Sequence, residues 1–352
     1  MAIKRGVSLY SYQQEQFFGR MTWKDMFREV KEDLHCDGIE IIDEATIHGY
    51  PFLSEQFVFD WHNELARYGL KAVTMDVYLD PMQFRDHVMN HDEAAERLKN
   101  DIVIASRLGF SNVRCLCLVP IDVIEKALPT AEKYNVRIGK EIHMPFPINA
   151  GHRRTSYDGP GSIPVNVNMC TEIMELADRT GSKHVGLVPD MGIFQDRPSQ
   201  VRIDYELRHA KNPESIYFII DNRTKMDPNE LYAKYRERYA PDILDPMTLN
   251  SLAMTDSCAD PEELREVVPY IVSIHGKFYN MTEIEGEPGH YEDKAIDYRR
   301  PFEVLKEEGY EGYIDSEFEG QRDQQDRGEE YLVDEVEQVR RHHEMMTRLI
   351  GK

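Results

Sequence analysis

The chain has 352 residues, with 64 Asp and Glu against 42 Lys and Arg, and a net charge of −22. A duplex-binding protein needs a basic face to displace counterions, so this balance argues against nucleic acid. Hydrophobic residues make up 41% and charged residues 30%, mean hydropathy is −0.58, and no apolar run approaches the ~20 residues that span a bilayer, which predicts a soluble chain with a sizeable core and no membrane association.

Short apolar strands alternate with helical stretches. GVSLY (6–10) predicts a first strand and residues 22–34 a first helix. GIEII (38–42) predicts a second strand, with a helix over 54–68 that Gly69 should stop. KAVTMDV (71–77) precedes a helix over 92–108, again closed by a glycine, Gly109. NVRCLCLV (112–119), a helix over 121–134, VRIGKEIH (136–143) and a helix over 167–180 follow. HVGLVPD (184–190), YIVSIHGKF (270–278) and GYIDSEFEG (312–320) complete eight strands, and a helix over 333–350 ends the pattern. Eight strands with helices between them predict an α/β fold, a (β/α)8 TIM barrel, as one domain over 1–352. A doubly wound open sheet is the alternative, but no G-x-G-x-x-G or phosphate-binding loop follows any strand.

A barrel of ~250 residues allots about 30 to each βα unit. Asp190 and His275 are 85 positions apart, so roughly 50 residues are surplus to that unit. The surplus, about 197–261, is polar and helical in places, and it follows strand six. It should therefore rise from the C-terminal face, as a lid, a docking element or a solvated decoration. Inside it, IYFII (216–220) is a short apolar run that either packs under the insertion or anchors a partner. The loop NMTEIEGEPGHYEDKA after strand seven should share that face. The N-terminal residues lack the apolar core of a secretion signal. The five cysteines (36, 115, 117, 170, 258) are odd in number and imply no disulfide framework. Cys115 and Cys117 are read as small core residues, and the compartment as a reducing cytoplasm.

The polar residues at the ends of the last four strands carry the chemistry. Strand five ends with Glu141 and His143, strand six with Asp190, strand seven with His275, strand eight with Glu317. In a barrel these ends meet at one mouth. Three carboxylates and an imidazole could not sit together uncompensated, so the set predicts a divalent cation held by Glu141, Asp190, His275 and Glu317. Oxygen-rich ligation with one nitrogen favours Mn²⁺, with Mg²⁺, Co²⁺ or Zn²⁺ as alternatives. His48, Lys277, Glu319 and Arg322 are the candidates for contacting substrate.

The Glu, Asp, His, Glu series on strands five to eight resembles the xylose-isomerase-like superfamily of sugar phosphate isomerases and epimerases, over nearly the whole chain. Keto-sugar 3-epimerases of that superfamily carry a Glu, a His and an Arg where this chain has Pro147, Ile193 and Met281, which argues against a plain epimerase. The barrel-type apurinic endonucleases need further histidines and a basic face. A closer resemblance, to the α subunit of bacterial C-glycoside deglycosidases, rests on SLYSYQ, GIEIIDEATIHGYPF, KEIHMPF and YIDSEFEGQR. It implies a metal ligand at Glu141 and a catalytic histidine at His143. It further implies a 3-oxo-glycoside substrate and a small β-rich second subunit in a hetero-oligomer. A 3-keto-O-glycoside lyase or hydratase, a sugar isomerase or epimerase, and an inactive metal-binding scaffold are the alternatives.

Overall fold

A computed structural model describes residues 3–117, 119–143, 169–254 and 258–351. Among the described residues ten strands form, eight of them in one parallel sheet. These are β1 (Lys4–Ser8), β2 (Gly38–Ile42), β3 (Lys71–Val77), β4 (Asn112–Cys115), β5 (Arg137–Ile142), β6 (Val185–Pro189), β7 (Ile274–Phe278) and β10 (Tyr313–Phe318). The remaining pair, β8 (Met281–Glu283) and β9 (Tyr291–Asp293), makes an antiparallel hairpin. The sheet runs β6-β5-β4-β3-β2-β1-β10-β7. Its two ends meet through isolated bridges, Leu187 with Ile271 and Asp190 with His275, and Val272 N–H donates to Leu187 O at 2.9 Å. The predicted (β/α)8 barrel is thus present, with a thin seam between β6 and β7.

The helices begin and end where local chemistry dictates. Asn90 and Glu93 close a capping box at the start of His91–Leu108, and Gly109 ends that helix at φ 82°, a conformation cheap only for glycine. Ser54 caps Glu55–Tyr68 through Phe57 N–H. The apolar faces of these helices pack on the barrel. Trp61 is fully buried among Trp23, Phe27, Phe57 and Phe110, and its Nε1 donates to Leu108 O at 2.9 Å.

Several expected boundaries move. The first strand starts at Lys4 and stops at Ser8, because residues 9–12 turn into a 3₁₀ segment. Strand four ends at Cys115, so Cys115 is buried while Cys117 is half-buried beyond the strand. The stretch 22–34 is α-helical over Trp23–Arg28 and continues as a π-helical turn over Glu29–Asp33. The loop expected after strand seven is the hairpin β8–β9. Pro147 lies outside the described residues, as do 167 and 168 of the fifth expected helix.

Among its described residues the insertion after β6 forms four helices, Gln200–His209, Pro213–Asn222, Pro228–Tyr239 and Pro246–Ala253. It builds a small core of its own from Ile216, Ile219, Leu231, Tyr235, Leu249 and Leu252. IYFII lies on the second of these helices, with Ile216 and Ile219 completely buried there. The apolar run therefore packs under its own insertion, and Tyr217 alone of the five is largely exposed. No helix among the described residues is long and apolar enough to cross a membrane.

Candidate metal centre

Strand parity decides what fills the barrel. Side chains alternate across a strand, so residues two apart share a face. Parallel registers set Asp315 beside His275, Glu317 beside Lys277, and Asp76 beside Arg114. The seam bridge sets Asp190 beside His275. The barrel interior consequently holds six buried carboxylates, Glu40, Asp76, Glu141, Asp190, Asp315 and Glu317. Buried among them are Arg114, His275 and Lys277.

His275 is the hub. Its Nδ1 is 3.1 Å from Glu141 Oε1 and 3.2 Å from Glu317 Oε2. Ligand atoms of Asp190, His275 and Glu317 lie within 4.8 Å of one another, as do those of Glu141, His143 and Asp190. Lys277 Nζ reaches Asp190 Oδ2 at 3.1 Å, Glu317 Oε2 at 2.9 Å and Glu319 Oε2 at 3.0 Å. Arg114 Nη2 lies 2.9 Å from Glu141 Oε1. His143 stands at the rim with 39% of its side chain exposed, Nε2 at 3.0 Å from Glu141 Oε2 and Nδ1 at 3.6 Å from Asp190 Oδ2.

Electrostatics follow from this crowding. Burial would raise Glu141, yet Arg114, His143 and His275 hold it well below the ordinary carboxylate value. Glu317 is likewise held low by Lys277 and His275 against burial. Burial dominates at Asp190, which is raised despite Lys277 and His143. Burial opposes charge on His143, but Asp190 and Glu141 outweigh it and raise that imidazole. Deeper down, burial and the neighbouring Asp76 push Glu40 up to about 7.

These residues fit a divalent cation. Glu141 Oε1 and Oε2, Asp190 Oδ2 and Glu317 Oε2 are buried without a well-directed hydrogen bond. Hard oxygen donors with one imidazole are the donor set such ions take. The profile of the family described as "Xylose isomerase-like TIM barrel" matches residues 27–348. The chain belongs to this family.

Two relatives of this xylose isomerase-like barrel align along almost its whole length. It is 27% identical to the 3'-dehydrocarminate deglycosidase alpha subunit of a Microbacterium species, over 99% of this chain and 95% of the relative. It is 26% identical to a C-glycoside deglycosidase alpha subunit of Arthrobacter globiformis, over 99% and 92%. Among solved structures it superposes on an IolI protein with a bound zinc atom, at a TM-score of 0.55, 16% identity, and 99% and 98% coverage. This last likeness speaks for the fold.

Of the site residues expected from sequence, the barrel brings together Glu141, His143, Asp190, His275, Glu317 and Lys277. Glu319 borders them through Lys277, and Arg322 reaches Glu319 at 2.9 Å and donates to Tyr10 Oη at 2.5 Å. His48 is exposed on the loop after β2, and among the described residues no ion pair or hydrogen bond ties it to the cluster. Sequence reasoning missed Arg114, Glu40, Asp76 and Asp315. Glu40, a lone charge in GIEII, was the clearest hint of an inward-facing acid, but nothing in these segments told that the four would meet His275.

Proposed function

We propose that the chain is the catalytic subunit of a metal-dependent deglycosidase that cleaves 3-oxo C-glycosides by elimination. The observation that carries this is His143, the one imidazole of the cluster open to the mouth, beside Glu141 and Asp190. Full-length similarity to two deglycosidase alpha subunits, one named for a 3'-dehydro substrate, supports the substrate class.

A carbon aglycone is a poor leaving group for acid catalysis alone. A ketone at sugar C3 changes this by acidifying the proton on C2. When bound, the divalent ion would supply Lewis acidity toward the sugar oxygens. His143 accepts the C2 proton, the freed electron pair forms the C1–C2 double bond, and the bond from C1 to the aglycone carbon breaks. The aglycone carbon keeps that pair and takes up a proton, which His143 returns. Imidazole suits both transfers because its reference pKa of ~6.5 lies near neutrality. Lys277 holds Asp190, Glu317 and Glu319 in place and offsets part of their charge.

The alpha-subunit names support a second subunit and so a hetero-oligomer, and we take that partner to be small and β-rich. The insertion spends its apolar run on its own core, which leaves the loops after β1, β2 and β3 as the richer docking surface. Phe17 (83% exposed), Phe52 (84%), Met82 and Phe84 protrude there. Turnover of matched 3-oxo C- and O-glycosides, with and without a co-expressed small subunit, tests the reading. Release of the aglycone from the C-glycoside only when metal is present supports it. Isomerisation of free sugars without any such release would overturn it.

A further inference from the structure

We infer that Glu40 is a positioning residue, whose carboxylate accepts the Nε2–H of His275 and so presents Nδ1 to the ion that Glu141, Asp190 and Glu317 would share. This rests on the metal reading above. His275 and Glu40 are both completely buried. The two ring nitrogens face different groups. Nδ1 points among Glu141 and Glu317, at 3.1 and 3.2 Å. Nε2 has Glu40 Oε2 at 3.1 Å and Asp76 Oδ1 at 3.6 Å, and neither that nitrogen nor either Glu40 oxygen makes a well-directed hydrogen bond, so the pair stands at bonding distance and a small turn of either side chain completes it.

A neutral imidazole has one lone pair, so a histidine that gives Nδ1 to a metal must keep its proton on Nε2. A buried N–H without an acceptor is costly. Of the two carboxylates at hand, Asp76 is shared with Arg114, whose Nε lies 3.5 Å away. Glu40 has no such claim on it: among the described residues, His275 Nε2 is the one cationic-type nitrogen within 4.0 Å of its carboxylate. A carboxylate on the far nitrogen fixes the tautomer, holds the ring plane and raises the basicity of the ligating nitrogen. Glu40 reaches His275 from β2, which is separated from β7 in the sheet by β1 and β10. The contact therefore ties the orientation of the ligand to the far wall of the barrel.

The test uses the full chain as wild type, Glu40→Ala and Glu40→Gln. Bound metal per chain and Kd for Mn²⁺ are measured by chelator competition. The non-coordinated imidazole nitrogen is observed in the Cu²⁺-loaded protein by electron spin-echo envelope modulation. The expected result is one ion per wild-type chain and a Kd about 10–100-fold weaker in Glu40→Ala. Glu40→Gln, whose amide oxygen still accepts from Nε2–H, should recover to within about fivefold of wild type. Its remote-nitrogen coupling should still shift, because an amide is a weaker acceptor than a carboxylate. An unchanged Kd in Glu40→Ala overturns the inference while leaving the metal site standing. So do two ions per wild-type chain, one of them lost with Glu40, since Glu40, Asp76 and His275 would then be ligands of their own. If Glu40→Ala does not fold, an unmoved remote-nitrogen coupling in Glu40→Gln overturns it. A wild-type chain that binds no ion defeats the metal reading itself, and this inference with it.

Discussion

Replacing Arg114 by methionine removes the cation that Glu141 and Asp76 share. Its Nη2 is 2.9 Å from Glu141 and its Nε 3.5 Å from Asp76. At an effective dielectric constant of about 20, each such contact is worth roughly 5–6 kcal/mol of gross attraction. Desolvation of the guanidinium cancels much of that, and breaking a buried pair by removing one partner costs about 3–5 kcal/mol net. Unfolding a chain of 352 residues carries an entropy of about 0.7 kcal/mol/K. The metal-free Arg114→Met variant should therefore melt about 4–7 °C below wild type. A divalent ion on Glu141 replaces part of the missing charge, so saturating Mn²⁺ should narrow the gap. Differential scanning calorimetry with chelator and with Mn²⁺ gives both numbers. A drop of less than about 1 °C in chelator, or a gap that Mn²⁺ leaves untouched, would refute the view that interior charge balance limits this barrel.

Glu317→Gln should lower metal occupancy by atomic emission, since it removes a ligand charge; occupancy equal to wild type would exclude Glu317 from the ligand set. His143→Ala should keep its metal and lose about 10²–10⁴-fold in turnover of a 3-oxo glycoside; loss of the metal with a normal fold would make His143 a ligand instead. In the metal-free protein His143 should titrate above 6.5, because Asp190 and Glu141 favour its cation more than burial opposes it. Adding Mg²⁺, which neutralises those carboxylates, should move that pKa downward; an NMR titration showing no change or an upward move would contradict the geometry.

Much of this molecule was legible in the order of its residues. Eight apolar runs and their helix stops gave the barrel, because caps such as Asn90 with Glu93 and glycines such as Gly109 act locally. Glu141, Asp190, His275 and Glu317 could be gathered from their strand ends alone, since the fold itself brings those ends to one mouth. Arg114, Glu40 and Asp76 could not. They lie on the strands before β5, and their contact with His275 depends on strand stagger and on the barrel's closure, which no local pattern encodes. IYFII was ambiguous for a related reason: an apolar run in a polar insertion looks the same whether it meets a partner or Leu231 and Tyr235. His48 carried no sign in its own segment of whether the loop after β2 turns inward or away.

The seam between β6 and β7 gives the barrel a clasp where other strand pairs have a full ladder. Asp190 and His275 form one of the two bridges of that clasp, and the insertion lies in the chain between them. An ion held by both residues would fasten the ring, so that loading and closure become a single equilibrium. A subunit that steadies the closed ring would then slow escape of the ion, and by reciprocity an ion in place would tighten the hold on that subunit. The weakest join of the ring thereby becomes a means of coupling assembly to chemistry.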